Sequence, residues 1–313
     1  MKRLQRNKAA KVWIDAPHTY VGRSLVARLE SRAHVDLHLP YSTHTRGCIE
    51  PPSGMDFLVL CGTQECASEK IASANGDHKV IDLTGASVAH PGAVCALPEP
   101  SAAHMAVLSN APVVSVPHPM VLALLVMLRP LENVLRSESM NLLAAHSVMG
   151  RSGAEPKYNG AHEDLPSQYV LDRPGERRRL TAELRRWGGP LRNIQLISAV
   201  GGFPRGLVLQ LFLPDKVFGQ PMPLGFVADL IQSQYGASSV VRVITHREPV
   251  AVESDNNTDC VSVFVREGAE GEGTLLVARL DNLGMGSTAA VLSILQLALD
   301  PPVLLRNAPE VQR

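Results

Sequence analysis

The order of strand- and helix-forming segments predicts an α/β chain in two parts, a doubly wound parallel sheet followed by an α+β part whose sheet is largely antiparallel. Two observations carry this expectation. Through the first hundred or so positions, short apolar runs alternate with helical segments, the rhythm of parallel strands joined by crossover helices. Beyond Leu131 the strand-like runs are separated mainly by Pro- and Gly-containing loops, with two helices among them, as in an antiparallel arrangement. The 313 residues suffice for two domains. The expected division sets 1–120 with 286–313 against 121–285.

Each element has its own signal. VWID at Val12–Asp15 is a short apolar strand, and Gly22–Arg32 places Leu25, Val26 and Leu29 on one helical face. His34–Pro40 alternates like a second strand, Asp56–Gly62 reads as a buried strand, Glu65–Ala74 as a helix, and Lys79–Gly85 and Val113–Val116 as further strands. APVVSVPHPMVLALLVMLRPL then turns through two prolines into an apolar helix ending at Arg129-Pro130. In the second part, Met140–Val148, Ile194–Ala199, Gly206–Leu213, Ser239–Thr245, Cys260–Val265 and Thr274–Asp281 read as strands. Gly175–Trp187, Leu224–Tyr235 and a final Ser287–Leu299 read as helices, the last placed to pack back on the first domain. HREPVAVESDNNTD and VREGAEGEGT are expected to be hairpin connections.

Composition excludes several classes. Hydrophobic residues make up 45% of the chain and charged residues 19%, enough to build a core, and an aromatic share of only 4% makes that core aliphatic. Thirty basic and thirty acidic side chains cancel, so neither a nucleic-acid partner nor an anionic membrane surface is expected. The basic start, MKRLQRNK, runs into KVWID without an apolar segment and does not read as a secretory signal. Met120–Leu128 falls well short of the ~20 apolar residues of a membrane helix. Cys48, Cys61, Cys66, Cys95 and Cys260 are odd in number and irregularly spaced, which favours reduced thiols in a cytoplasmic protein. Cys61 and Cys66 lack a second ligand pair, so no metal site is expected.

Two segments carry candidate chemistry. After the first strand the chain reads Asp15-Ala-Pro-His-Thr-Tyr-Val-Gly22 and enters a helix, where a dinucleotide-binding turn would have three glycines. Only Gly22 remains; Ala16 and Thr19 stand at the earlier places, and Pro17 has no N–H. His18 and Thr19 are candidates to hydrogen-bond a phosphate, the alternative being a loop closed by proline with no ligand. Five arginines between Arg177 and Arg186 spread around a helix, as a solvated face or a dimer contact rather than an anion site.

TYVGRSLVARLESRAHVDL, KVIDLTG, ALPEPS, VPHPMVLALLVMLRPL, VMGRSGA, FPRGL and LDNLGMGSTAAVLSILQLAL, in that order and spacing, resemble landmarks of the semialdehyde dehydrogenase family, which includes N-acetyl-gamma-glutamyl-phosphate reductases and aspartate-semialdehyde dehydrogenases. The resemblance implies a Rossmann-like domain, a dimerisation domain, NADP chemistry and amino-acid biosynthesis. It places weak cofactor contacts at Ala16, His18, Thr19, Tyr20, Val21, Gly22 and Asn282. It also implies a thiolate nucleophile, which must be both a strong nucleophile and a good leaving group, and a histidine acid–base.

Here the resemblance fails at the points where chemistry is needed. Counting back from Pro130-Leu131, the cysteine falls on Pro119 and its neighbouring glycine on His118. The histidine falls near Gly201–Gly202, and a lysine of the last motif on Met285. Arg205 persists as a candidate partner for a carboxylate or phosphate. Asp281 and Asn282 persist as braces of the loop joining the domains. The leading expectation is a catalytically degenerate relative with no cofactor or weak NADP binding, cytoplasmic, forming a homodimer or a heteromer with an active paralogue. Three rivals stand beside it: an active acyl-phosphate reductase with relocated groups, for which Cys95, His118 and Arg205 are the candidates and His146 a further histidine; a regulatory subunit; and a nucleotide sensor.

Overall fold

The computed structural model describes residues 9–41, 48–74, 76–98, 101–136, 143–153, 174–188, 194–236, 238–268 and 272–299. They fall into two compact units, divided between Pro117 and His118 and again between Ser287 and Thr288. Parts of four expected features, at 99–100 in ALPEPS, 140–142 of a strand, 154 in VMGRSGA and 269–271 in VREGAEGEGT, lie outside the described residues.

The first unit is built on β1 (Ala10–Ile14), β2 (Val35–His38), β3 (Phe57–Leu60), β4 (Lys79–Asp82), β5 (Ala93–Cys95) and β6 (Val113–Ser115). Its helices are α1 (Tyr20–Leu29), α2 (Gln64–Ala72), α3 (Ala102–Asn110) and α7 (Ala289–Leu299). The strands form a parallel sheet in the order β2-β1-β3-β4-β6-β5. FLVL and KVID are buried throughout, as parallel strands covered on both faces must be. Each crossover helix starts at a hydroxyl cap: Thr19, Thr63 and Ser101 accept from the N–H groups of Gly22, Cys66 and His104. The core joins Ile14, Leu25, Leu29, Phe57, Val59, Ile81 and Val114 to Val291, Leu292 and Leu295 of α7. β5 and α3 went unread in the sequence, since β5 is only three residues long and the apolar residues of α3 form no single stripe. Lys79 is buried at the start of β4, where its ammonium donates to the carbonyls of Leu108 and Ser109 at the end of α3, and burial pulls its pKa down to about 8.

The second unit begins with α4 (Pro119–Leu128), followed by β7 (Ala144–Met149), α5 (Pro174–Trp187), β8 (Gln195–Val200), β9 (Leu207–Leu213), α6 (Leu224–Tyr235), β10 (Val241–Ile244), β11 (Val261–Glu267) and β12 (Thr274–Leu280). The sheet order is β10-β11-β12-β9-β7-β8. Its three inner pairings are antiparallel and the two outer ones, β10 with β11 and β7 with β8, are parallel. HREPVAVESDNNTD is therefore not a hairpin loop. It returns the chain so that β11 runs alongside β10, passing through a 3-10 turn at Val252–Asp255. α4 is buried from Met120 to Leu128 and packs on β12 and β9, as an all-apolar helix requires. No described helix is long and apolar enough to cross a membrane.

The cysteines correct the expectation of uniformly reduced thiols: Cys48 and Cys66 form a disulfide, with Cα atoms 5.2 Å apart. Sequence parity did not reveal it, because the bond depends on the approach of the lead-in to β3 onto the first turn of α2. Among the described residues, no group of histidine, cysteine and carboxylate side chains is arranged to hold a metal.

At Gly22 a Cβ would lie 2.0 Å from the carbonyl oxygen of Ala16 and 2.8 Å from Cα of Pro17, so only glycine lets α1 start this close to β1. Gly22→Ala is expected to destabilise the fold by about 2 kcal/mol in urea unfolding, an overpacking cost that outweighs the helix propensity gained. An unchanged midpoint would contradict this contact.

Candidate functional site

The β1–α1 turn holds six of the candidate cofactor residues. Thr19 is the cap of α1: its hydroxyl accepts from the Gly22 N–H at 3.0 Å and donates to the Ala16 carbonyl at 2.9 Å. The Thr19 N–H is itself donated to Ala16, at 3.2 Å. Across the turn, the Cys61 thiol reaches the Ala16 carbonyl at 3.6 Å, and the Cys61 N–H bonds Asp15 at 2.8 Å. Burial raises the Asp15 carboxyl above its ordinary range, although the Cys61 N–H and the Lys70 charge pull it back. Burial, reinforced by Asp15, pushes the Cys61 thiol well above the usual cysteine range, so it is a protonated thiol and not a nucleophile. Ala16 is buried, Pro17, Tyr20 and Val21 are half-buried, and His18 is exposed. The turn thus uses its hydroxyl and several of its amides internally, where a phosphate cradle would point them outward.

The start of α4 is built from inside the second unit. Pro119 is the first helical residue, a position that suits a residue without an N–H, and its ring lies against Gly286, where a Cβ would come within 2.9 Å. His118 is the cap: its Nδ1 accepts from the Met120 N–H at 3.3 Å. The His118 N–H is taken by Glu183 of α5 at 2.6 Å, and Glu183, fully buried, is paired with Arg179 at 2.7 Å. Glu176 of the same helix lies 3.9 Å from His118 Nε2. Burial, aided by the Arg179 charge, holds the His118 pKa well below the ordinary value. A neutral imidazole is what its capping role needs, because Nδ1 must keep its lone pair.

Arg205 is committed too. Its guanidinium grips the fully buried carboxylate of Asp281 with Nε at 3.0 Å and with Nη2, while Nη1 reaches Asn257 at 2.9 Å. Asp281 also accepts the N–H groups of Asn257 and Leu283, at 2.7 and 3.0 Å. Asn282 accepts the Gly206 N–H at 2.8 Å and bonds Ser152. These bonds lock the FPRGL and VMGRSGA loops to the segment after β12, and Gly150 approaches so closely that a Cβ would meet the Arg205 backbone at 2.6 Å. Asp281 and Asn282 are braces of this second unit. Their side chains are already bonded where a cofactor contact was expected of Asn282.

The remaining candidates lie apart. Cys95 is 4% exposed at the end of β5, its thiol directed to the Ala96 carbonyl at 3.7 Å. The His104 imidazole meets the Cys95 carbonyl, not its sulfur, at 2.8 Å. His146 lies on β7, 3.4 Å from Gln210. Gly201 and Gly202 hold backbone contacts to Met149 and to the Arg151 side chain, and Met285 is buried.

No protein-family model matches the chain. Curated relatives do, over nearly their whole length. An N-acetyl-gamma-glutamyl-phosphate reductase of Nostoc sp. is 26% identical over 93% of this chain and 97% of its own. The reductase of Chelativorans sp. is 27% identical over 93% of this chain and 98% of its own. Among solved structures, aspartate semialdehyde dehydrogenase II of Vibrio cholerae, complexed with ASA, superposes with a TM-score of 0.70 at 16% identity, covering 94% of this chain and 99% of that one. The aspartate semialdehyde dehydrogenase of Candida albicans with NADP gives a TM-score of 0.64 at 12% identity, covering 94% and 100%. The chain is thus similar in sequence, over nearly its whole length, to N-acetyl-gamma-glutamyl-phosphate reductases, and it shares the fold of the aspartate-semialdehyde dehydrogenases.

Set against that family, the segment where the sequence resemblance looks for a thiol is the first turn of α4, and the atoms found there are a pyrrolidine ring and an imidazole. Three residues at this turn went unread: Glu176, Arg179 and Glu183. They recur at helical spacing on one stripe of α5, beside the buried Leu180 and Leu184. That stripe was present in the sequence, but the run of arginines masked it as a solvated face. Arg177, Arg178, Arg185 and Arg186 are indeed exposed, whereas Arg179 turns inward.

The neutral cap has a pH signature. The unfolded chain takes up the His118 proton near pH 6.5 and the folded one does not. The unfolded state therefore binds more protons below that value, and stability falls as the pH drops from 6.5. His118→Asn keeps a capping oxygen and removes the titration. The wild type is expected to lose stability relative to H118N between pH 6.5 and 5 in urea titrations, and parallel curves would contradict the assignment.

Proposed function

We propose that the chain is a catalytically inert semialdehyde dehydrogenase homologue, retained as a dimer-forming structural or regulatory protein. One observation carries the reading. At the first turn of α4, Pro119 has no nucleophilic atom, and the His118 N–H, which would face a developing charge, is already bonded to Glu183. The rival with relocated groups finds little support: the Cys95 thiol is buried against a carbonyl, the Cys61 thiol is held protonated, and Arg205 is bonded to Asp281. NADP binding, if retained, is weak on this reading, since Pro17 and the inward bonds of Thr19 take donors from the β1–α1 turn.

The decisive assay supplies NADPH with N-acetylglutamyl phosphate or aspartyl phosphate, and the reverse pair of semialdehyde and phosphate with NADP+, and follows nicotinamide absorbance. No turnover above the protein-free rate is expected. Turnover that Cys95→Ser abolishes would establish the relocated enzyme instead.

The partner is proposed as a second copy of the chain or an active paralogue, through the sheet of the second unit. On β9, Val208, Gln210 and Phe212 alternate with buried leucines, and the register sets them beside Ala144, His146 and Val148 of β7 and Ile197 of β8. Phe212 and Ile197 are 45% and 38% exposed. A sheet face this apolar is suited to a two-fold contact. Light scattering should find a dimer, and Phe212→Glu should yield a folded monomer. A wild-type monomer at micromolar concentration would count against it.

A further inference from the structure

Cys48 and Cys66 join two segments that flank β3. Cys48 opens the lead-in to that strand, a stretch in which Glu50, Pro52, Ser53 and Gly54 are exposed. Cys66 lies in the first turn of α2, where its N–H is capped by the Thr63 hydroxyl at 3.3 Å. Both cysteines are half-buried, so the bond lies within reach of solvent, in contrast to the Cys95 thiol. The closed loop spans 18 positions and wraps β3. Inside the loop, just past the end of β3, Cys61 holds the β1–α1 turn through Asp15 and Ala16.

We propose that Cys48–Cys66 is a reversible dithiol–disulfide site, reduced by a dithiol and controlling the order of the 48–54 lead-in and of the start of α2. The chemistry is thiol–disulfide exchange. A thiolate of the reductant attacks Sγ of Cys48, the Cys48–Cys66 bond breaks, and the sulfur of Cys66 leaves as a thiolate. Cys66 is the better leaving group because it sits in the first turn of α2, where the positive end of the helix stabilises a thiolate. The second thiol of the reductant then attacks its own sulfur in the mixed disulfide and expels Cys48. Two electrons pass from the reductant to the pair, leaving two protein thiols and one oxidised dithiol. Glu65 and Glu69 flank Cys66 on the same helix and oppose its anion, but Glu65, at the helix start, is drawn to the same dipole.

Reduction frees the lead-in while β3, buried and paired on both sides with β1 and β4, keeps its place. The effect is thus confined to 48–54 and the first turn of α2, with the sheet unaltered.

The test uses the intact native protein and dithiothreitol. Under native conditions without reductant, iodoacetamide should leave Cys48 and Cys66 unlabelled in peptide mass spectra, and brief dithiothreitol should expose both. Amide exchange in 48–54 and 64–67 should then rise by about tenfold, fall back on reoxidation with oxidised glutathione, and be mimicked by Cys48→Ser without reductant. The β3 amides should not change. Labelling of both cysteines before reduction would overturn the proposal, as would a bond resistant to dithiothreitol in the folded state. Unchanged exchange in Cys48→Ser would remove the claimed control even if the bond is reducible.

Discussion

A fully buried helix must satisfy its first N–H groups from within the protein, and at α4 this is done by a carboxylate. Glu183 takes the His118 N–H, Arg179 neutralises Glu183, and His118 Nδ1 takes the next donor. Proline at the following position brings no amide that would need a partner. The rest of the second unit depends on this closed end, because α4 is the apolar slab on which β9 and β12 pack. A helix start that serves acyl transfer needs donors and a thiolate, and the first turn of α4 carries no thiol.

Inward bonding recurs in the other places where chemistry was sought. The β1–α1 turn directs its threonine inward and is crossed by the Cys61 thiol. Arg205, positioned by a strand that resembles the reductase motif, grips Asp281. A buried carboxylate such as Asp281 requires a cation and several N–H donors to be tolerated, and it receives both. Thr19 and Arg205, both capable of recognising an anion, are therefore bonded to a carbonyl and to a carboxylate of the protein itself.

Much of the fold was legible because apolar periodicity reports burial directly. Leu224–Tyr235 reads as a helix from its spacing, and FLVL as a buried strand from its unbroken run. What escaped was short or non-local. β5 is too brief to show a period, and α3 buries no single stripe. The parallel return from β10 to β11 depends on pairing partners far apart in the chain, on which turn residues say nothing. What the candidate site lacks comes from the family resemblance, which puts the position of the thiol on Pro119 and that of the histidine near Gly201–Gly202. What fills it was not legible, because Glu183 lies 64 residues beyond Pro119, and whether a glutamate on an arginine-rich helix faces solvent or core is settled only by the packing of Leu180 and Leu184.

Inertness is tested most directly at the covalent step. Intact-protein mass spectrometry after mixing with an excess of N-acetylglutamyl phosphate or aspartyl phosphate, quenched in acid to preserve thioesters, reads acylation without requiring a full turnover. The account predicts an unchanged mass. A gain of one acyl group, mapped to Cys95, Cys61 or Cys260, would contradict it.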